Sequence, residues 1–174
     1  MAERPRARVV VIGVGNALRG DDAAGLHVAR RLRADPRSAG IEVRELEGEA
    51  LALLDIWEGA DAAVIVDAVS SGAPPGTIHR MEAEAEPLPS TLRGSTSTHA
   101  LGLREAIELA RALHRLPAHV VIYGVEGRDF EAGTELSTEV EAVLGELAGV
   151  VLDGAWAVCR KASTRWAPAG ESVP

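Results

Sequence analysis

Cysteine and lysine are scarce in this chain of 174 residues, and aromatic residues make up only 3% of it. The single cysteine, Cys159, excludes an intramolecular disulfide and a cysteine-based metal cluster. Lys161 is the only lysine, and acidic residues outnumber basic ones, which gives a net charge of -8 and a pI near 5.1. Such a balance argues against a broad phosphate-binding surface, so we expect no nucleic-acid partner.

Long hydrophobic runs are also missing from the sequence. The apolar stretch at 9–14 is too short for a signal peptide and is followed by glycines and carboxylates. We find no stretch approaching the roughly 20 apolar residues of a membrane helix. We therefore expect a cytoplasmic monomer without membrane association, formed by a single domain over 1–174 with flexible ends at 1–6 and 165–174.

Strand-like and helix-like segments alternate along the chain. Continuous apolar runs at 8–14, 62–67 and 119–123 predict strands buried on both faces, and alternation at 41–46 predicts a strand nearer an edge. A strand at 77–81 should run antiparallel to the strand before it, because the connection is too short for a parallel crossover. A polar loop is predicted at 83–98, and helices are predicted at 22–33, 51–57 and 99–114 and from 137 past 156.

This order predicts the fold class. We expect an α/β three-layer sandwich, with a twisted, mostly parallel sheet of about five strands and helices on both faces. One of the strands should be antiparallel.

The stretch VVVIGVGNALRGDDAAG at 9–25 has a strand followed by a glycine-rich turn, as in dinucleotide-binding proteins. The third glycine of that fingerprint is missing, because Leu18 stands three residues after Gly15. Asp21 and Asp22 come at the start of the following helix, where their charge would repel a pyrophosphate. The stretch therefore does not favour nucleotide binding.

Three residues should meet at the carboxyl edge of the sheet, where ligands bind in open α/β folds. Asp22 follows the first strand, Asp67 closes the second buried strand, and His99 begins a helix. Stepping by four from His99 to Leu103 keeps the histidine on the helix face that packs on the sheet. Two carboxylates and an imidazole could form a small oxygen/nitrogen metal site or an acid–base pair.

Each of these residues also has a purely structural interpretation. Asp22 could be a helix N-cap, Asp67 could tie down the turn through Ser70 and Ser71, and His99 could be a satisfied polar residue at a helix start. Spacing alone leaves both interpretations open.

Other polar residues are weaker candidates. Glu47, Glu49 and Glu126 follow strands and either border the site or are ordinary loop charges. The remaining histidines fit structural positions: His27, His79, His114 and His119. The sequence contains neither a G-x-S-x-G elbow nor an H-E-x-x-H pair.

Four stretches occur in order between residues 9 and 140: GVGNALRGDDAAG, IVDAVSSGAPPGTI, STHALGLREAI and YGVEGRDFEAGTELSTEV. Together they resemble the hydrogenase maturation proteases, endopeptidases that remove a C-terminal tail from the large subunit of nickel–iron hydrogenases. The family has acidic residues at the places of Asp22 and Asp67 and a histidine at the place of His99. These three are implicated in binding nickel or another divalent metal.

The resemblance implies a function for this chain. It would be an endopeptidase that removes the C-terminal extension of a nickel-loaded hydrogenase large-subunit precursor. Asp22, Asp67 and His99 would recognise the nickel that the precursor supplies and would also be the catalytic residues. Asn16 and Asp21 would shape the loop.

Two positions depart from the family pattern. Ala23 stands where relatives often have glycine, and the loop Glu47–Gly48–Glu49–Ala50 replaces a smaller Gly/Thr loop, so the partner could differ. Two other functions stay open at this point. One is a peptidyl-tRNA-hydrolase-like hydrolase, which the acidic balance disfavours. The other is a non-catalytic metal- or nucleotide-binding module of the same fold.

Overall fold

The computed structural model describes residues 7–83, 88, 93–94 and 102–164. The predicted flexible ends at 1–6 and 165–174 lie outside the described residues, as does most of the predicted polar loop at 83–98.

Six strands and four helices form the described part of the fold. The strands are β1 (Val9–Gly15), β2 (Glu42–Glu47), β3 (Ala62–Ser70), β4 (Ile78–Glu82), β5 (Arg93–Gly94) and β6 (His119–Glu126). The helices are α1 (Ala24–Ala34), α2 (Leu53–Ile56), α3 (Leu103–Ala112) and α4 (Thr138–Thr164), and single 3-10 turns cover Gly20–Ala23, Pro36–Ser38 and Ala50–Ala52.

The strands form one sheet in the order β2-β1-β3-β6-β4. The first four run parallel, and β4 pairs antiparallel with β6. The predicted mostly parallel α/β sandwich, with β2 at an edge and one short antiparallel strand, is confirmed. Strand β5 was not predicted: its two residues pair antiparallel with Val69 and Ser70 of β3.

Helices cover both faces of the sheet, which explains why the central strands are apolar without alternation. Val9 and Val11 of β1 belong to the core under α1 and α4, whereas Val10 and Ile12 belong to the core with α2 and α3. Alternate residues along β1 therefore support opposite layers.

The starts of α1 and α3 differ from the predictions in ways that bear on the site. Asp22 lies in the 3-10 turn Gly20–Ala23, and α1 begins only at Ala24. Helix α3 begins at Leu103 because Gly102 is its N-cap in an extended conformation, with ψ 174°. The first part of the predicted helix, from His99 to residue 101, lies outside the described residues.

The start of α4 is capped by Ser137. Its hydroxyl oxygen accepts a hydrogen bond from the Val140 N–H at 3.4 Å. The Thr138 hydroxyl does not cap the helix but donates to the Glu139 carboxylate at 3.1 Å.

By length and composition alone, α4 could cross a membrane. The expectation that no stretch of the chain approaches the length and apolar character of a membrane helix was therefore wrong. Alanine, glycine and valine, which also suit a core helix, make up much of its sequence. Its buried side chains pack with residues of β1, β3 and β6 in one core. This packing is typical of the core helix of an α/β domain.

The glycines of the G-x-G stretch allow close contact between helix and sheet. A Cβ atom on Gly13 would overlap the carbonyl group of Gly25, and a Cβ atom on Gly25 would overlap the carbonyl oxygens of Val14 and Val66. The first turn of α1 therefore lies directly on the carboxyl ends of β1 and β3.

We predict that Gly25→Ala destabilises the protein, although alanine is the better helix former. Overpacking against two backbone carbonyls should lower the free energy of unfolding by about 1–3 kcal/mol. A matched control is Gly145→Ala in α4, where a Cβ atom meets nothing within 4 Å. This change should raise stability by about 0.5–1 kcal/mol. Urea unfolding of both variants measures the difference, and equal effects would contradict this packing.

Candidate active site

Asp22 and Asp67 lie at the carboxyl edge of the sheet. The turn that carries Asp22 connects β1 to α1 and packs against β3. Asp67 follows Val66 in β3, pairs in register with Gly124 of β6 and is therefore next to the first turn of α1. Only 5% of Asp22 and 4% of Asp67 is exposed. The fold thus brings these two predicted site residues to one edge and buries both.

The two carboxylates are coupled electrostatically. Burial of the Asp67 carboxyl group, followed by the negative charge of Asp22, raises the pKa of Asp67 well above its ordinary value. The backbone N–H of Ala68 donates to Asp67 and acts in the opposite direction, but it does not outweigh the other two causes. Burial and Asp22 therefore favour the protonated form of Asp67, and a positive charge beside it would favour the ionised form.

Asp22 is not the N-cap of α1. The N-cap of that helix is Ala23, and neither α1 nor the preceding 3-10 turn has a side-chain cap hydrogen bond. The structural interpretation of Asp22 as an N-cap is therefore wrong.

The turn after β3 is held by Glu126 rather than by Asp67. Glu126 accepts hydrogen bonds from the Ser71 backbone N–H and hydroxyl, both at 2.7 Å, and from the Gly72 N–H at 2.9 Å. The same carboxylate lies 3.2 Å from Nε2 of His79. Glu126 and His79 thus have structural roles, and Ser71 does not explain the burial of Asp67.

Asp21 has an environment opposite to that of Asp67. It accepts hydrogen bonds from the backbone N–H groups of Arg128, Asp129 and Ser137 and from the Ser137 hydroxyl, at 2.7–3.0 Å. Burial alone would raise the pKa of Asp21, but these hydrogen bonds outweigh burial and hold the pKa below its ordinary value. Asp21 therefore joins the 128–137 loop to the turn that carries Asp22.

Asn16 shapes the same turn from the other side. Its side-chain oxygen accepts from the Leu18 N–H at 2.9 Å, and its backbone N–H donates to the Asp22 carbonyl oxygen at 3.3 Å. The loop-shaping roles implied for Asn16 and Asp21 agree with this geometry.

His99 lies outside the described residues, so the structure does not place it. Its nearest described neighbours in the chain are Gly94, paired with Val69 of β3, and Gly102, the N-cap of α3. Because Gly102 is extended, helix α3 gives no support for placing His99 by helical spacing.

A third metal-binding side chain is not found beside the carboxylate pair within 7–83, 88, 93–94 and 102–164. No group of three or more His, Cys, Asp or Glu side chains in these residues could hold a metal ion. Asp22 and Asp67 have the chemistry of hard oxygen ligands for a divalent cation, but a complete shell needs donors from elsewhere.

A three-layer sandwich with buried carboxylates at the carboxyl edge belongs to the class of α/β proteins that bind their ligands at that edge. Residues 26–154 match the family model described as hydrogenase maturation protease, so the chain belongs to the hydrogenase maturation protease family. The match includes Asp67 and His99, and Asp22 lies four residues before it.

Relatives and solved structures agree with this family. The chain is 29% identical over 139 residues to the hydrogenase 2 maturation protease of Escherichia coli, covering 79% of this chain and 84% of the relative. It is 30% identical over 124 residues to the hydrogenase expression/formation protein HupD of Thiocapsa roseopersicina, covering 71% of this chain and 56% of the relative. The matched part is thus little more than half of that protein.

Two solved structures share the fold. The hydrogenase maturating endopeptidase HybD from Escherichia coli superimposes with a TM-score of 0.67 at 27% identity, covering 88% of this chain and 93% of that structure. The [NiFe] hydrogenase maturation protease HybD from Thermococcus kodakarensis superimposes with a TM-score of 0.66 at 28% identity, covering 85% of this chain and 99% of that structure.

We predict opposite stability effects for two aspartates near this edge. Asp67→Asn removes a carboxyl group whose ionisation is opposed by burial and by Asp22, and it should raise the melting temperature, by about 2–4 °C for each kcal/mol gained in a domain of this size. Asp21→Asn removes hydrogen bonds to a carboxylate and should cost about 2–4 kcal/mol. Thermal unfolding at pH 7 measures both variants. A loss of stability in Asp67→Asn comparable to that in Asp21→Asn would contradict the assignment.

We also predict a pH-dependent contribution from Glu126. Its hydrogen bonds from Ser71, Gly72 and His79 outweigh burial and lower the pKa of the Glu126 carboxyl group. Its stabilisation is therefore complete above the unfolded-state pKa of about 4.3 and is lost as the pH falls through the lower folded-state pKa. The stability difference between wild type and Glu126→Gln, measured by urea unfolding, should shrink between pH 6 and pH 3. A constant difference would exclude this coupling.

Proposed function

We propose that this chain is an endopeptidase that removes the C-terminal extension of a nickel–iron hydrogenase large-subunit precursor already loaded with nickel. Family membership supports the reaction, and the Thermococcus kodakarensis protein that shares the fold is a [NiFe] hydrogenase maturation protease. The observation that carries the proposal is the buried Asp22–Asp67 pair at the carboxyl edge, with the pKa of Asp67 raised.

The pair is suited to a cation that arrives with the substrate. Two buried carboxylates repel one another, and a divalent cation relieves this repulsion while favouring the ionised form of Asp67. The described residues contribute only these two ligands, so the precursor and His99 would supply the remaining donors. Recognition would therefore depend on nickel being present in the precursor.

Each of the three residues then has a defined role. Asp22 and Asp67 bind the cation through oxygen, and His99 completes the protein's share of the contacts through an imidazole nitrogen. A divalent cation beside a peptide bond can polarise its carbonyl group or lower the pKa of a water molecule. Asp67, with its raised pKa, is also able to hold a proton near the reacting peptide and release it when the cation binds.

The surrounding structure favours this function over a nucleotide-binding module. The space that a phosphate would need beside Gly13 and Gly25 is filled by helix–strand contact. The buried acidic residue just before α1 would repel an anion at that helix terminus. A cytoplasmic location and a monomeric state belong to the same proposal. The packing of α4 against the sheet supports only that α4 is a core helix rather than a membrane span.

The test is the intact mass of a co-encoded hydrogenase large-subunit precursor after incubation with this protein, with and without prior nickel loading. We expect loss of a C-terminal peptide only from the nickel-loaded form. An unchanged mass of a demonstrably loaded precursor, or equal cleavage of both forms, would contradict the proposal.

We predict that Asp22→Asn, Asp67→Asn and His99→Ala fold but lose cleavage by about 100-fold or more, because each removes a contact to the cation that acts in the reaction. Asp55→Asn is the control, since Asp55 is an exposed aspartate on α2. Cleavage rates are measured by mass spectrometry and folding by circular dichroism. Cleavage near the wild-type rate in any of the three variants would remove that residue from the site.

A further inference from the structure

Leu18 is an apolar side chain held in solvent. It is 67% exposed, the highest value among the three exposed large hydrophobic residues of the described chain. The other two, Leu109 and Leu113, lie near the C-terminal end of α3 and are 38% and 52% exposed. Single exposed leucines are common on protein surfaces, so exposure alone does not assign a role.

The backbone around Leu18 is firmly tied. The Leu18 N–H donates to the Asn16 side chain, and the Leu18 carbonyl oxygen accepts from the Gly133 N–H at 2.9 Å. The Ala17 N–H donates to the Glu47 carboxylate at 3.4 Å, and the Arg19 guanidinium donates to the Phe130 carbonyl oxygen at 3.2 Å. The loop therefore presents the leucine in one place between the ends of β2 and β6.

Leu18 also lies close to the candidate active site. The Asp22 N–H donates to the carbonyl oxygen of Arg19 at 3.0 Å, and Arg19 directly follows Leu18. The backbone of Leu18 thus belongs to the turn that carries Asp22, at the same edge as the carboxylate pair, whereas α3 runs away from this edge towards Leu113.

We infer that Leu18 is a specificity-determining contact that packs against an apolar side chain of the precursor next to the cleaved peptide. The inference rests on the proposed function. A pre-positioned apolar group gains binding energy when it is covered, and it loses little conformational freedom because its backbone is already fixed. The contact is made equally in the bound ground state and the transition state, so it affects KM and not kcat.

The test is the steady-state cleavage of the nickel-loaded precursor by wild type, Leu18→Ser, Leu18→Met and Leu113→Ser. We expect Leu18→Ser to raise KM on the order of ten-fold with kcat unchanged, in line with the burial of most of a leucine side chain. Leu18→Met should restore KM, because it keeps the apolar volume. Leu113→Ser matches the chemical change on an exposed leucine far from the edge and should leave KM at the wild-type value.

The outcomes distinguish a failure of the Leu18 inference from a failure of the proposed function. If wild type cleaves and Leu18→Ser has the wild-type KM, or if Leu113→Ser raises KM equally, the inference is overturned and the proposed function stands. If Leu18→Ser lowers kcat and the melting temperature instead, Leu18 is structural and the inference is again overturned. If wild type cleaves no loaded precursor, the proposed function fails and the inference fails with it.

Discussion

The close approach of α1 to the carboxyl ends of β1 and β3 is the constraint on which the site depends. Gly13 and Gly25 permit it, since a side chain on either would overlap a backbone carbonyl group. This approach leaves the turn before α1 packed against β3 and sets Asp22 near Asp67. The glycine-rich stretch, which in another sequence would surround a phosphate, serves here to bring two carboxylates together.

The acidic residues buried around this edge fall into two groups. Asp21 and Glu126 are surrounded by hydrogen-bond donors that favour their charged forms, and they hold loops in place. Asp67 is destabilised in its charged form by burial and by Asp22. Under the proposed function, a bound cation would favour the charged form of Asp67 that burial and Asp22 disfavour. The pKa shifts in opposite directions thus distinguish the hydrogen-bonded carboxylates of Asp21 and Glu126 from the carboxylate that we propose to bind a cation.

Much of this arrangement was predictable from sequence. The unbroken valine-rich runs that become β1, β3 and β6 indicated a parallel sheet covered on both faces, and strand ends indicated the positions of Asp22 and Asp67. The sequence could not show which of Asp67 and Glu126 holds the turn after β3. That depends on which carboxylate Ser71 contacts, and Ser71 contacts Glu126 on the neighbouring strand β6. Strand β5 is too short for a periodic signal, and the start of α3 depends on the extended backbone of Gly102.

The most direct test of this account is a carboxyl carbon NMR titration of Asp67 in the free protein, repeated in Asp22→Asn. We expect the pKa of Asp67 to lie well above the ordinary aspartate value and to fall when the charge of Asp22 is removed. Asp21, measured in the same spectra, should titrate below the ordinary value. An Asp67 pKa at or below the ordinary value, unchanged in Asp22→Asn, would contradict the claim that these two carboxylates form a coupled site.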